Sequence, residues 1–278
     1  MDLSTLTTEM DKMNMKVMVN LSGDNGATLK DPLEISGIIF QTGLLYLPTL
    51  IGMEWERKSW GEKAAKQLEE DVKNGANGLK IFKDLGFSVK DIHGKRVTVD
   101  DPRLDPIWEK AGELKIPVLI HTADPKSFWD PMDANNERWL ELATHPYRKR
   151  SNTDPAPWDT LIAEQHRMFM KHPHTTFIAA HFGWYANDLA KLGQLLDEMP
   201  NVNVEFGAVI AELGRQPRMA KQFFPNTRTG YCLVKIVGRR RSIPLISVCW
   251  RQTMSIFLII KSIMLSGPCM VWTCQMIF

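Results

Sequence analysis

Two histidines stand where catalytic chemistry is usually placed, each closing a short and almost wholly apolar run. His121 ends Pro-Val-Leu-Ile-His and His181 ends Thr-Phe-Ile-Ala-Ala-His. A neutral imidazole at a strand end can ligate a divalent metal or exchange a proton near neutral pH. One such histidine is ordinarily satisfied by hydrogen bonds. Two consecutive strands delivering histidine to the same rim point to a shared site. Weaker candidates surround them. Lys80 lies inside Gly-Leu-Lys-Ile-Phe and needs a reason to face inward, either snorkelling to the rim or contact with substrate or a metal bridge. Glu205 alternates with apolar neighbours, and Arg215 could hold a carboxylate through its planar fork. Asp124, Trp129 and Trp184 could shape a pocket. His93, His145, His166, His172 and His174 fall in loops or helical stretches and are expected to be solvated, as is the turn Arg148-Lys149-Arg150.

The elements that would position these groups are regular between residues 60 and 224. Helical apolar spacing over 62–74 (Ala65, Leu68, Val72) stops at Gly75, and a strand-length run follows at 78–82. A helix is predicted over 105–113, with Asp105 as N-cap and Pro106 in the first turn, before the strand at 117–121. Further helices are expected at 158–171 and 187–199, and further strands at 175–181 and 201–207. Another strand is read at 15–21, after a short helix. Short buried strands alternating with helices imply parallel βα units. No GxGxxG follows any strand, so a dinucleotide-binding sheet lacks its main signature. Lys80, His121, His181 and Glu205 at or near strand ends favour a TIM (β/α)8 barrel, whose chemistry sits at the C-terminal rim.

Composition divides the chain. Its 278 residues carry a formal net charge of +2, which gives no global electrostatic case for nucleic acid. No Asp or Glu follows Glu212, whereas Arg239, Arg240, Arg241, Arg251 and Lys261 do, together with all four cysteines (Cys232, Cys249, Cys269, Cys274). The cysteines have neither a CxxC metal spacing nor the pattern of a secreted disulfide framework. No basic segment followed by an apolar run opens the chain, so a cytoplasmic location is the default expectation.

DDPRLDPIWEKAGELKIPVLIHTADP, TTFIAAHFGWYANDLAKL and NVNVEFGAVIAELGRQPR together resemble the amidohydrolase family that includes aminocarboxymuconate-semialdehyde decarboxylase and γ-resorcylate decarboxylase. The resemblance covers about residues 60–224. It implies a distorted barrel of the metal-dependent hydrolase type binding one divalent metal, zinc in the first instance and manganese as the alternative. By that resemblance His121 is a metal ligand and His181 the catalytic acid/base; Lys80, Glu205, Arg215 and Trp184, read from the residues themselves, are the substrate-side candidates. A small substrate bearing a carboxylate is implied, hydrolysed or decarboxylated, in a chain that could form a homodimer. No nucleic-acid or membrane partner is expected.

Two parts of the family pattern are missing: a His-x-His pair on the first strand, and an aspartate after the last. The barrel is therefore expected to be incomplete, lacking its first strand and with its last strand scrambled. Read from the third base of each codon, residues from 225 onward can spell KYQDRILFGKDSWAPEEYPTYFRVLET, which supplies a strand and an aspartate at the junction of Lys235 and Ile236. About residues 33–57 can likewise spell the missing third strand. The expected organisation is a barrel over 1–224, with a segment at about 33–59 that is out of frame, and an out-of-frame tail over 225–278. A catalytically inactive barrel fragment is the rival reading. A membrane anchor at 256–272 is disfavoured, because Lys261, Gly267-Pro268 and Gln275 interrupt its apolar runs and a span wants ~20 apolar residues.

Overall fold

The computed structural model describes residues 60–205 and 207–226, together with the strand segments Met18–Asn20, Ile39–Leu44, Tyr231–Cys232 and Thr273–Cys274. The elements alternate as the sequence pattern requires. Strands β1 (Met18–Asn20) and β2 (Ile39–Leu44) precede helix α1 (Trp60–Lys73) and strand β3 (Ala76–Ile81). Helix α2 (Asp105–Glu113), strand β4 (Val118–Ile120), short helix α3 (Trp139–Thr144) and helix α4 (Trp158–Lys171) follow. Next come β5 (Phe177–Ala179), α5 (Leu189–Glu198), β6 (Val202–Glu205), α6 (Ile210–Arg215) and α7 (Pro217–Asn226), then β7 (Tyr231–Cys232) and β8 (Thr273–Cys274).

The strands form one parallel sheet in the order β7-β6-β5-β4-β3-β2-β1-β8. Because every pair is parallel, all C-terminal strand ends share one edge. This is the α/β architecture of a TIM-type barrel left open between β7 and β8 among the described residues. Residues 33–59, read from sequence as out of frame, contribute β2, and the tail contributes the two edge strands. By lying parallel to β1, β8 takes the place that a strand preceding β1 would occupy in a βα barrel. The remaining tail readings, the anchor at 256–272 included, lie outside the described residues. Among those residues no helix is long and apolar enough to cross a membrane.

Register explains how the sheet sorts its side chains. Leu79 pairs with Val118, Val118 with Phe177, and Phe177 with Val202; Ile81, Ile120, Ala179 and Val204 form the next such row. Both rows are at most 2% exposed and pack with helix residues such as Leu68, Trp108, Leu161 and Phe169. The intervening row of Lys80, Leu119, Ile178 and Asn203 points to the opposite, inner face, since side chains alternate along a strand. His121 and Glu205 continue that inner parity, two residues beyond Leu119 and Asn203.

Local chemistry fixes the helices. In α1 the buried positions Ala64, Ala65 and Leu68 recur at helical spacing, Lys73 lies in the last turn, and Gly75 turns the chain at φ +106°. Gly61 lies against the Arg103 carbonyl, where a Cβ would stand 2.1 Å from the oxygen, so no other residue lets α1 approach this closely. Asp105, expected as the N-cap of α2, is instead its first helical residue. Asp101 does the capping one turn earlier, accepting from the Arg103 N–H for the turn Pro102–Leu104 that leads into the helix. The aromatic side chains Trp108, Phe169 and Phe177 fill the layer between sheet and helices, their rings meeting edge-on or tilted.

Candidate active site

His121 lies one residue past β4, its backbone N–H donating to the Ile81 carbonyl at 3.0 Å, so the sheet ladder itself sets its position. His181 lies two residues past β5, in a left-handed turn. The rings stand edge to face, their centroids 4.5 Å apart. Trp184 closes the group, 4.7 Å from the His181 ring and 5.9 Å from that of His121. The two strand-end histidines of the sequence are therefore brought together, with Trp184 beside them.

The rim is built from strained backbone. Ala123, His181, Phe182, Trp184 and Ala208 all have φ between 56° and 63°, a region disfavoured by about 1–2 kcal/mol for a residue with a Cβ. All five follow β4, β5 or β6; among the described non-glycine residues only Lys115 shares the conformation elsewhere. Strain of this kind persists only where surrounding structure imposes it, and it gathers at functional sites.

Glu205 is the clasp of the rim. One carboxylate oxygen accepts from the His181 backbone N–H at 3.1 Å, and the other accepts from the Gly207 N–H. Gly207 in turn offers its carbonyl to His181 Nδ1 at 2.8 Å. A carbonyl only accepts, so Nδ1 carries the proton and the Nε2 lone pair is free for chemistry. The Glu205 carboxylate is 3.6 Å from Nδ1 and 1% of the residue is exposed. Glu205 thus bonds the backbone that carries His181 and lies beside its Nδ1.

Burial holds both rings neutral. Desolvation, reinforced by the charges of Lys80 and Lys83 and by coupling to the His181 ring, pushes His121 well below the usual histidine range. Desolvation also lowers His181, to about 4, opposed by the Gly207 carbonyl and the Asp124 charge and assisted by Lys80 and Lys83. His121 Nε2 is buried with no hydrogen-bond partner among the described residues, as are Thr122 Oγ1 and Trp184 Nε1. Unpaired buried polar atoms are rare in proteins, and three of them gather at these strand ends.

The remaining candidates separate. Lys80 is 4% exposed, on the inner row, with Nζ 5.3 Å from the Phe82 ring. Arg215 is half-exposed at the end of α6 and paired with Glu137. Trp129 donates to the Ala156 carbonyl at 2.9 Å, bracing a loop. Three expectations of solvation are overturned, the first at His166, which is half-buried and stacked on Tyr185. His172 is 5% exposed and its Nε2 meets Asp105 at 3.1 Å, because the end of α4 packs on α2. Arg148-Lys149-Arg150 is no free turn: Arg150 reaches the buried Asp124, Arg148 pairs with Glu141, and Lys149 donates to the Phe128 carbonyl at 2.9 Å. Sequence reasoning missed Lys83, whose Nζ contacts Asp124 at 2.9 Å; its place two residues past β3 was the available signal.

Whether the rim fits a divalent metal is decided by its donors. The unpartnered Nε2 of His121 is what a ligand nitrogen should be, and neutrality suits it. Among the described residues, however, no three His, Cys, Asp or Glu side chains converge. Asp124 is committed to Lys83 and Arg150, and Glu205 to two backbone N–H groups. A protein zinc site takes about three or four ligands. The described residues alone do not fit one.

Comparison with known proteins agrees with the body of the chain. The sequence model of the family described as amidohydrolase matches residues 57–228, more than half of the chain. Among solved structures the chain is similar to the crystal structure of an amidohydrolase II, at 12% identity over 72% of this chain and 57% of that one, with a TM-score of 0.38. It is similar to the apo crystal structure of Metarhizium anisopliae IDCase, at 16% identity over 63% of this chain and 48% of that one, with a TM-score of 0.34. It is also similar to a GH5-4 broad-specificity endoglucanase from an uncultured bacterium, at 11% identity over 96% and 88% of the two chains, with a TM-score of 0.43. The chain thus spans about half the length of the first two structures. Comparison with curated proteins gives no match. The matched interval 57–228 contains both strand-end histidines and the residues placed around them, and on that match the chain belongs to the amidohydrolase family, a family of enzymes that generally use a divalent metal.

Proposed function

We propose that the intact site is that of an amidohydrolase-type hydrolase or decarboxylase acting on a small organic carboxylate, with His181 as acid/base and His121 as a ligand nitrogen. The observation that carries this reading is the histidine pair itself. Two neutral rings stand edge to face at the parallel strand ends, one with its Nδ1–H fixed on the Gly207 carbonyl and the other with a buried, unpartnered Nε2. Held in this way, His181 Nε2 can accept a proton from one side of the site and return it to a substrate carbon or leaving group. A carboxylate bound beside it raises its proton affinity from the low value set by burial and the neighbouring lysines.

Zinc, or manganese in its place, is the metal we expect at His121; it would supply Lewis-acid activation in the family's chemistry. The shortage of donors among the described residues favours a second reading, a barrel that keeps the family's acid/base rim without a working metal centre. An out-of-frame tail would account for that shortage, and sequencing the coding DNA tests it directly: codons that cannot spell the family-like segments in the alternative frame dispose of the idea. The membership of the chain also leads us to expect a small-molecule substrate and a homodimer.

Metal analysis of the purified chain separates the two main readings. Stoichiometric zinc or manganese, lost in His121→Ala and accompanied by turnover of a carboxylate substrate lost in His181→Asn, supports the enzyme. Metal-free protein that stays inactive when either ion is added supports the inactive rim.

A further inference from the structure

Beside the histidine pair lies a charge arrangement that packing alone does not require. Asp124, three residues past His121, has a side chain only 3% exposed and is shared by two cations. Its Oδ1 accepts from Lys83 Nζ at 2.9 Å, and its Oδ2 accepts from Arg150 Nε at 3.0 Å. Both cations lie over the ring of Phe87, at 5.4 Å for Lys83 and 4.9 Å for Arg150. Trp158 Nε1 donates to the Asp124 backbone carbonyl at 3.1 Å, which anchors the acid from below. Lys83 follows β3, Asp124 follows β4, and Arg150 sits in the long loop before α4, so three separate rim segments meet here.

One carboxylate neutralises one of the two cations. A single ion pair would satisfy Asp124, so the second cation, only partly exposed, leaves positive charge that an anion would complete. Donors remain to do so. Lys83 has three N–H groups with one bond to Asp124, and Arg150 has five, bonded to Asp124 and to the Tyr147 carbonyl. Their side chains are 32% and 17% exposed, which leaves a face open. Against the histidine pair, the indole N–H of Trp184, a donor that can do nothing else, is buried without a partner among the described residues, as is the Thr122 hydroxyl. Lys80 and Lys83 act electrostatically on both His121 and His181, and Asp124 acts on His181, so cluster and histidines share one local field. A pair of cations sharing one carboxylate, three residues past a histidine with an open nitrogen, has an anion as its complement.

We propose that Lys83 and Arg150, oriented by Asp124, are the carboxylate-recognising arm of this site. The inference rests on the carboxylate substrate of the proposed function and names the residues that select it. Asp124 is a positioning residue, fixing the guanidinium fork and the ammonium so that little side-chain freedom is lost on binding.

The test is binding of 4-fluorobenzoate to the full chain, followed by fluorine NMR, with 4-fluorobenzamide as the uncharged isostere. Lys83→Met and Arg150→Met should each weaken 4-fluorobenzoate about tenfold or more and leave 4-fluorobenzamide unaffected; Arg150→Lys, which keeps the charge and loses the fork, should fall between. Should either methionine variant lose its cooperative melt, the wild-type chain decides: saturating 4-fluorobenzoate must shield Lys83 from acetylation, read by peptide mass spectrometry. Unchanged affinity in folded variants, unshielded Lys83, or a loss confined to Arg215→Met would overturn the assignment. Failure of the wild-type chain to prefer 4-fluorobenzoate over the amide would instead overturn the carboxylate reading on which it stands.

Discussion

The two ends of the parallel sheet are built on opposite principles. At the N-terminal end, polar groups are paired to one another. Asn201 Nδ2 reaches the carbonyls of Phe169, His172 and Thr175 at 3.0, 3.1 and 3.2 Å; Thr175 Oγ1 donates to the Trp108 carbonyl at 2.7 Å; and His172 meets Asp105. At the C-terminal end, polar atoms are buried and left open. Of the seven buried side-chain polar atoms without a partner among the described residues, six belong to segments after β4, β5 or β6, with Trp108 Nε1 the exception. Five of the six non-glycine residues with positive φ lie there too. One end serves stability and the other forgoes some of it, as expected where barrel chemistry is confined to the C-terminal rim.

That contrast can be broken by mutation, beginning with the largest effect. His181→Asn, which tolerates the left-handed backbone, should reduce turnover by about 10²–10⁴-fold in steady-state kinetics while moving the thermal midpoint little. Asn201→Ala should do the reverse. It strips three carbonyls of a donor and should cost about 2–3 kcal/mol in urea titration, with catalytic and binding properties of the folded fraction unchanged. Equal loss of stability in both variants would erase the distinction between the two ends.

Acid sensitivity gives a finer comparison. His166, stacked on Tyr185, is lowered from 6.5 to about 4, by burial and then by the Lys191 charge. Its folded pKa lies below its unfolded one, so the unfolded chain takes up the proton first. Stability is complete above pH 6.5 and is lost as pH falls toward 4. His181 acts in the same direction over the same window. Denaturation at stepped pH should show this slope, and His166→Gln should remove about 2 kcal/mol of it, discounted for partial exposure. An unchanged slope would assign the acid lability wholly to other groups, the rim histidines foremost.

Smaller effects sharpen the picture at single residues. Ala123→Gly and Ala208→Gly each relieve a positive φ and should raise stability by up to about 1 kcal/mol, measured as an upward shift of the melting midpoint. His121→Leu removes the unpartnered Nε2 together with the ring's bond to the Ala123 backbone, so stability should fall by about 1–2 kcal/mol, read as a lower melting midpoint. A larger loss would mean that Nε2 too is paired, contrary to the open rim.

Much of the frame was legible in the sequence because buried parallel strands leave unmistakable runs. Val118–Ile120, Phe177–Ala179 and Val202–Glu205 each fall inside an expected strand, the first two of which end in histidine. Helix α4 matches its predicted bounds, since its apolar face repeats without interruption. Helix α3 was missed: it is six residues long, and Trp139 and Leu140 are exposed, so it carries no apolar stripe. His172 was misjudged because its burial depends on how the end of α4 meets α2, a contact between residues 67 apart in sequence.

The histidine pair shows where the division falls. The sequence alone determined that His121 and His181 would lie on one rim, because strand periodicity and parallel connection leave no other place for residues that end successive buried strands. It also determined the family, through runs long enough to match over 57–228. Only the tertiary structure decided what surrounds the pair. Loop paths bring Lys83 and Arg150 onto one buried carboxylate, turn Glu205 into a clasp, and leave Arg215 with Glu137. Such meetings depend on backbone geometry summed over tens of residues, and charged side chains carry no periodic signal of the partner they will find.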